Sequence, residues 1–162
     1  MSIEYENPWF RIVKQGQYHF VEENGADNGA VILLQAEEHF VFVKVFREAH
    51  NAFFIEAPRG YGEKGEISSE AASRELFEET GYKIEISKLR QLGTVQPNSA
   101  ILSSSLPIFF VEVDKRIKET ILDSEVSDIV YIHKRQILNS IASGEITDGI
   151  TLAALTLYLS HS

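Results

Sequence analysis

The sequence has no cysteine among its 162 residues. Disulfide bonds, thiolate metal sites and cysteine nucleophiles are therefore excluded. Its five histidines have neither the H-x-H nor the H-E-x-x-H spacing, so we do not expect a zinc site. A metal bound here would be held by oxygen atoms, which favours hard divalent cations such as Mg²⁺ or Mn²⁺.

Positive charge and long apolar runs are also scarce. Lysine and arginine total 15 against 24 aspartates and glutamates, giving a net charge of −9. Duplex nucleic acid is not an expected partner, because its binding needs a basic face that displaces counterions. No apolar run approaches a membrane span, and the N-terminal MSIEYENPWF lacks the features of a signal peptide. We therefore expect a cytoplasmic protein without a membrane partner, folded as a single domain over residues 1–162.

Short strands dominate the first half of the chain, and helices follow them. Strands are predicted at 18–22, 30–35, 40–46, 52–57, 89–94, 106–113 and 126–132. Two closing helices are predicted at 134–142 and 147–159, the second with Thr147 or Asp148 as its N-cap. This order predicts an α+β fold in which helices flank a mixed central sheet.

The most informative segment is residues 60–82, GYGEKGEISSEAASRELFEETGY. Glu75, Glu78 and Glu79 stand at i, i+3 and i+4, so a helix places all three carboxylates on one face. Three adjacent anions repel one another unless a cation lies between them. The spacing therefore indicates a site for Mg²⁺ or Mn²⁺.

The same segment indicates where its helix begins and ends. Ser68 and Ser69 are expected N-cap residues. Gly81 stands where a glycine in the left-handed conformation would end the helix. Residues 58–62, PRGYG, cannot form a regular helix and are expected to be a loop.

This segment resembles the Nudix box, G-x5-E-x7-R-E-U-x-E-E-x-G-U, where U is a bulky aliphatic residue. The only departure is Tyr82 at the last aliphatic position, a mild one because tyrosine can also pack in a strand. The resemblance implies the α/β/α Nudix sandwich and hydrolysis of a nucleoside diphosphate linked to another group, with Mg²⁺ as cofactor. The matching positions are Gly60, Glu66, Arg74, Glu75, Leu76, Glu78, Glu79 and Gly81.

The resemblance also implies metal-site roles. Glu75 and Glu79 would be the main metal ligands, and Glu78 a further ligand, directly or through water. Gly60 would let the loop backbone approach the metal.

Two more box positions carry supporting roles. Glu66 would be an auxiliary carboxylate, and Arg74 would orient a carboxylate rather than touch substrate. The alternative for both is an ion pair that only supports the helix.

Segments outside the box are similar to those of ADP-ribose pyrophosphatases and related nucleotide-sugar hydrolases. These are FREA at 46–49, EAPRG at 56–60 and SGEITD at 143–148. Pro97 follows Tyr82 by 15 residues, a spacing that resembles the proline signature of the ADP-ribose subgroup. Val45 departs from the glutamine that often precedes the first segment. ADP-ribose or a related nucleotide sugar is therefore the expected substrate.

The candidate substrate-binding residues are Arg47, Glu56, Arg59 and Pro97. Arg47 suits a phosphate because its guanidinium fork matches phosphate oxygens. Its alternative is a surface ion pair with Glu48 or another neighbour, and the alternative for Pro97 is an ordinary loop proline.

The general base is left open by the sequence. Aligning Asp128-Ile129 with the D-I of the subgroup places Ser127 where that subgroup carries a glutamate, with Glu125 two positions earlier. Glu125, Glu78 or Glu79 could activate the water, or Glu125 could be a solvated loop residue. The catalytic candidates are thus Glu78, Glu79, Glu125 and Arg74.

Aromatic residues near the N-terminus suggest a partner surface. Pro8, Trp9 and Phe10 could anchor a homodimer or pack in the core. Trp9, Phe10, Phe53 or Phe54 could instead stack on a base. Dinucleoside polyphosphates, NADH, coenzyme A and oxidised nucleoside triphosphates remain alternative substrates. A non-catalytic nucleotide sensor is the alternative class, although such domains tend to lose box carboxylates, all of which are present here.

Overall fold

The computed structural model describes residues 1–115 and 125–161. Its strands are β1 Ser2–Glu6, β2 Phe10–Gln15, β3 Tyr18–Glu23, β4 Ala30–Ala36, β5 His39–Arg47, β6 Ala52–Glu56, β7 Arg59–Gly60, β8 Arg90–Val95, β9 Leu106–Val113 and β10 Val126–His133. Its α-helices are α1 Ser68–Thr80, α2 Ile137–Ala142 and α3 Gly149–Ser160. In this part of the chain, no helix has both the length and the apolar character needed to cross a bilayer.

The central sheet has the strand order β10-β5-β4-β9-β8, with β6 beside β5 and β7 beside β4. Strands β4 and β9 run parallel, whereas the other pairs are antiparallel. Every residue of β4 is buried, as expected for a strand covered on both faces. The predicted mixed sheet is confirmed.

Helices cover both faces of this sheet. Alternate side chains of β4 point to opposite faces, so their contacts identify the helix that lies on each face. Ile32 and Leu34 pack with Leu76 of α1. Leu33 packs on the opposite face with Ile137 of α2 and Leu155 of α3. The predicted α/β/α layering is therefore confirmed.

A separate three-stranded sheet precedes the central one, in the order β1-β2-β3. Of these three strands, the sequence predicted only β3. All of β1 is exposed, and Val13 is the one buried residue of β2. Strands β1 and β2 therefore lack the alternation of buried and exposed residues by which a strand is predicted from sequence. Backbone hydrogen bonds join this sheet to the loop between β8 and β9: the Val21 N–H donates to the Ile101 carbonyl oxygen at 2.7 Å, and the Ser103 N–H donates to the Val21 carbonyl oxygen at 3.0 Å.

The boundaries of the box helix differ slightly from expectation. Its N-cap is Ile67, not Ser68 or Ser69. The backbone N–H of Ile67 donates to the Glu70 carboxylate at 3.0 Å, so a residue inside the first turn satisfies this terminus. Gly81 has φ of 75°, which confirms the predicted left-handed end.

Two further local expectations needed correction. Residues 58–62 are not all loop, because Arg59 and Gly60 form β7 against β4. Tyr82 lies outside any strand and is buried beside α1. Asp148 is confirmed as the N-cap of α3, since its carboxylate accepts the Thr151 N–H at 2.8 Å.

Candidate active site

A cleft of about 700 Å³ opens where the N-terminal sheet, α1, the loop after β8 and the start of α3 meet. Most of the residues predicted for the site line this cleft, namely Arg47, Arg59, Gly60, Arg74, Glu75, Glu78, Glu79, Pro97 and Glu125. Glu56 and Glu66 lie behind this lining and contact its arginines. Residues spread over the whole sequence are thus brought to one place.

Arg74 organises the carboxylates of the box. Its Nη1 lies 2.7 Å from Oε1 of Glu75 and 3.0 Å from Oε2 of Glu78. Its Nε donates to Glu66 at 2.9 Å, and its Nη2 donates to the carbonyl oxygen of Tyr61 at 2.9 Å. One guanidinium therefore offsets the repulsion among three glutamates and joins α1 to the loop before it.

Gly60 lies directly against the Glu75 carboxylate. A Cβ atom added at Gly60 would be 2.0 Å from Cδ of Glu75, well inside van der Waals contact. The absence of a side chain at this position is what allows the β7 backbone to approach α1. The box glycine is thus explained by close approach.

Glu79 is the most deeply placed carboxylate of the box. Burial raises its pKa to about 8, and the charge of Glu75 acts in the same direction. The backbone N–H of Arg59 opposes this shift by donating to Oε2 of Glu79 at 3.0 Å. Burial also raises the pKa of Glu75, although Arg74 opposes it.

The other two box glutamates are more accessible than Glu79. The hydrogen bond from Arg74 lowers the pKa of Glu66. The Glu78 side chain is 43% exposed and faces the cleft beside Arg74. The box therefore combines Glu79, whose burial opposes ionisation, with Glu66, whose ionised form is favoured by Arg74, and with Glu78, which is open to solvent.

This donor set fits a hard divalent cation. Among residues 1–115 and 125–161, no three acidic or histidine side chains are already grouped as a metal cage. Glu75 and Glu78 turn towards Arg74, while Glu79 turns towards the Arg59 backbone. A cation beside Glu79 would supply the charge that burial leaves unbalanced.

Two arginines and two acids form a second network at the end of β5 and β6. Glu56 is only 2% exposed. It accepts from Nε of Arg47 at 2.9 Å and pairs with Nη2 of Arg59 at 2.8 Å. Nη1 of Arg59 also lies 2.7 Å from Oδ2 of Asp148. The ion-pair partner of Arg47 is therefore the buried Glu56, in place of the surface residue Glu48 that the sequence suggested.

Glu125 lies at the cleft wall and is exposed. The hydrogen bond to Glu56 is the main cause that raises the pKa of Arg47, and the charge of Glu125 adds to it. Glu125 therefore lies close enough to Arg47 to act on it electrostatically. Ser127 is exposed on β10. Asp123 and Ser124, the preceding residues of this segment, lie outside the described residues.

The cleft mouth contains residues that sequence reasoning missed. Glu23 of β3 accepts from the hydroxyl groups of Tyr61 and Ser104, each at 2.8 Å. Burial, aided by Glu23, raises the pKa of Tyr61 to about 12, so Tyr61 stays a neutral donor. Nothing in the sequence singles out Glu23, because its partners are distant in the chain.

The aromatic candidates separate into two groups. Trp9 lines the cleft and is 69% exposed, which excludes a core role in this chain. Phe53 instead packs edge-to-face on Phe46, with ring centroids 5.1 Å apart. Of the candidates Trp9, Phe10, Phe53 and Phe54, Trp9 is the one that lines the cleft, where a bound base could contact it.

The model of the NUDIX domain family matches residues 26–150. The chain belongs to the Nudix family. The match begins after the N-terminal sheet and includes the box, β9 and the network up to Asp148. The recognition of the box in the sequence is therefore confirmed.

The chain is also similar to two proteins whose names state an activity. The chain is 28% identical to the ADP-sugar pyrophosphatase of Mus musculus over 133 residues, 77% of this chain and 61% of that protein. It is 27% identical to the ADP-ribose pyrophosphatase of Bacillus subtilis (strain 168) over 128 residues, 78% of this chain and 68% of that protein. The alignment thus spans somewhat less than two thirds of the mouse protein.

A solved structure described as an ADP compounds hydrolase has the same fold. It superposes with a TM-score of 0.76 and covers 98% of this chain and 89% of that one. The sequence identity is 15%, so the likeness concerns the fold.

Proposed function

We propose that this protein hydrolyses the pyrophosphate bond of a nucleoside diphosphate linked to another group. The products would be a nucleoside monophosphate and a second phosphorylated compound. The observation that carries this proposal is the cleft itself, where the box carboxylates stand beside Arg47 and Arg59. Carboxylates can hold a divalent cation, and guanidinium groups bind phosphate oxygens.

Glu75 and Glu79 would hold Mg²⁺ or Mn²⁺, with Glu78 as a further ligand. The bound cation would neutralise phosphate charge and lower the pKa of a coordinated water. Arg74 would keep Glu75 and Glu78 oriented through the contacts described above. Gly60 would leave room for this arrangement.

Arg47 and Arg59 would contact the phosphates. Arg47, with a side chain 37% exposed, is the more accessible of the two. Glu56 is enclosed by both arginines. Its proposed role is therefore to orient their guanidinium groups, not to contact the substrate directly. Pro97 and Trp9 would contact the remainder of the nucleotide.

The water-activating base stays between Glu125 and a box glutamate. Glu125 lines the cleft, and its charge acts on Arg47. Glu79 would hold a proton near neutral pH if no cation were bound, because of its raised pKa. Both are therefore within the site, and kinetics must separate them.

ADP-ribose or a related nucleotide sugar is the substrate we propose. The support is the named activity of the two curated relatives together with the segments at 46–49, 56–60 and 143–148. Dinucleoside polyphosphates, NADH, coenzyme A and oxidised nucleoside triphosphates are the substrates to compare.

A substrate panel tests this proposal directly. Each compound is incubated with the protein and Mg²⁺, and phosphate is measured after coupling to a phosphatase. We expect the highest kcat/KM for ADP-ribose or an ADP-sugar, loss of activity with EDTA and recovery with Mg²⁺ or Mn²⁺. Binding of nucleotides without hydrolysis of any compound would favour a nucleotide sensor instead.

A further inference from the structure

The first turn of α3 is joined to the segment that precedes the box. The backbone N–H of Ala57 donates to Oγ1 of Thr151 at 2.8 Å, and this hydroxyl donates to Oδ2 of Asp148 at 2.7 Å. Ala57 and Thr151 are both fully buried, at 0% exposure. The contact is therefore a fixed internal joint between residues 94 positions apart.

Asp148 extends this joint into the cleft through Arg59. Its Oδ2 accepts from Nη1 of Arg59 at 2.7 Å, and its Oδ1 accepts from Nη2 at 3.3 Å. Nη2 of Arg59 also pairs with Glu56. Two carboxylates thus hold the guanidinium from two directions, which fixes its plane.

Arg59 in turn contacts the metal-binding candidates from its backbone. Its N–H donates to Glu79, as described above, and its neighbour Gly60 lies against Glu75. The short strand β7 is therefore held by α1 on one side and by α3 on the other.

We propose that Asp148 is a positioning residue for the hydrolytic site. It would orient the Arg59 guanidinium and hold β7 in a fixed position relative to α3. This inference rests on the proposed function, and it adds a residue that was expected only to cap a helix.

The negative charge of Asp148 distinguishes its two roles, because orienting Arg59 depends on the charge whereas capping α3 does not. Asparagine is as good an N-cap as aspartate, so Asp148→Asn keeps an oxygen for the Thr151 N–H. The oxygen that accepts from Thr151, Oδ2, also accepts from Nη1 of Arg59, so asparagine can keep that contact. It replaces Oδ1, the acceptor for Nη2 of Arg59, with an NH₂ donor and removes the negative charge. Asp148→Asn should therefore weaken the hold on Arg59 while leaving α3 capped.

The decisive experiment compares Asp148→Asn with Leu152→Ala. Leu152 is on the same helix and packs against the core cluster that contains Leu33 and Leu155. Its truncation weakens α3 without changing the cap or Arg59. Asp148→Ser, which also retains a good N-cap residue, serves as a second variant if Asp148→Asn does not fold.

Four quantities are measured: Tm, the kcat and the KM for the best substrate, and the rotation rate of the Arg59 guanidinium about Nε–Cζ by ¹⁵N NMR. The Arg59 signals are assigned by their loss in Arg59→Lys. For Asp148→Asn we expect faster rotation and a decrease in kcat/KM of about tenfold to a hundredfold, with Tm close to that of the wild type. For Leu152→Ala we expect a lower Tm with rotation and kcat/KM unchanged.

Unchanged rotation in Asp148→Asn would show that Asp148 only caps α3. Faster rotation with unchanged kcat/KM would equally overturn the proposal, since the orientation of Arg59 would then not affect the reaction. If the wild type hydrolyses no substrate, the proposed function fails by itself. Whether Asp148 holds Arg59 is then decided by the NMR measurement alone.

Discussion

The four glutamates of the box have the same side chain but different surroundings. Glu66, Glu75, Glu78 and Glu79 are all glutamates, yet burial raises the pKa of Glu79 to about 8 whereas Arg74 lowers that of Glu66. The spacing in the sequence predicted a shared face, which the contacts with Arg74 bear out for Glu75 and Glu78. It could not predict burial, which depends on how β7 packs against α1.

Replacing Glu79 with glutamine should lower kcat by roughly 10² to 10⁴. Glutamine keeps the shape of the side chain but loses the charge that would hold the cation. The measurement is steady-state kinetics at saturating Mg²⁺, with Tm as the control for folding. Full activity in Glu79→Gln would exclude Glu79 as a metal ligand.

The raised pKa of Glu79 also predicts a pH dependence of stability. Between its ordinary value of 4.5 and about 8, the folded protein binds more protons at Glu79 than the unfolded chain. The contribution of this group to the free energy of unfolding therefore decreases as pH rises through that window. A bound cation favours the charged carboxylate and offsets the loss.

We therefore expect Mn²⁺ to raise Tm more at pH 8 than at pH 5.5. Thermal unfolding with and without Mn²⁺ at both pH values measures this difference. Glu79→Gln is the matched control, in which the pH dependence should be much weaker. Equal Mn²⁺ shifts at the two pH values would contradict the assignment.

The choice of base is a third prediction at this scale. If Glu125 activates the water, Glu125→Gln should lower kcat strongly with little change in substrate affinity, because a general base acts in the transition state. Ser127→Ala, at the position where the subgroup carries its glutamate, is the comparison variant. A loss of less than about fivefold in Glu125→Gln would remove Glu125 as the base.

Among the structural elements, helix α1 shows what a sequence can and cannot predict. Its existence, carboxylate face and glycine end followed from residue spacing, because these are local properties. Its N-cap did not, because Glu70 satisfies the backbone N–H of Ile67 in place of a serine. The strands β1 and β2 were missed for a different reason, namely that they bury little and show no alternation.

Glu70→Ala should lower the free energy of unfolding by about 0.3 to 1 kcal/mol, since it removes an acceptor and a negative charge from the positive end of α1. We expect kcat to remain unchanged, because Glu70 lies outside the cleft lining. Urea denaturation measures the first effect. Ser69→Ala is the control, and a larger loss of stability there than in Glu70→Ala would restore the serine as the cap.

At the scale of the whole molecule, the N-terminal sheet carries exposed apolar side chains. Trp9 is 69% exposed, Tyr18 69%, and Ile3 and Tyr5 52% each. Isolated exposed apolar residues are ordinary, but a group on one small sheet is typical of an interface. The sequence suggested Pro8, Trp9 and Phe10 as an anchor, and the exposure of Trp9 is compatible with that role.

We expect the protein to form a homodimer through this sheet. Light scattering at micromolar concentration should give about twice the 18.3 kDa of one chain. Trp9→Ala should shift the equilibrium towards the monomer, whereas Phe53→Ala, at an exposed aromatic of the β5–β6 hairpin, should not. A monomeric wild type would refute the prediction.

The parallel pairing of β4 with β9 has a consequence for how the protein folds. Val31 pairs with Ile108 and Ala36 with Val113. The two central strands can therefore pair only after the ends of the long chain segment between them have come together. Contacts between residues distant in sequence slow folding, because the entropy of loop closure is lost before they form. Helix α1 lies within that stretch and can form early from local interactions. We therefore expect its acidic face to exist in nascent chains well before the arginines of β5 and β7 are fixed beside it.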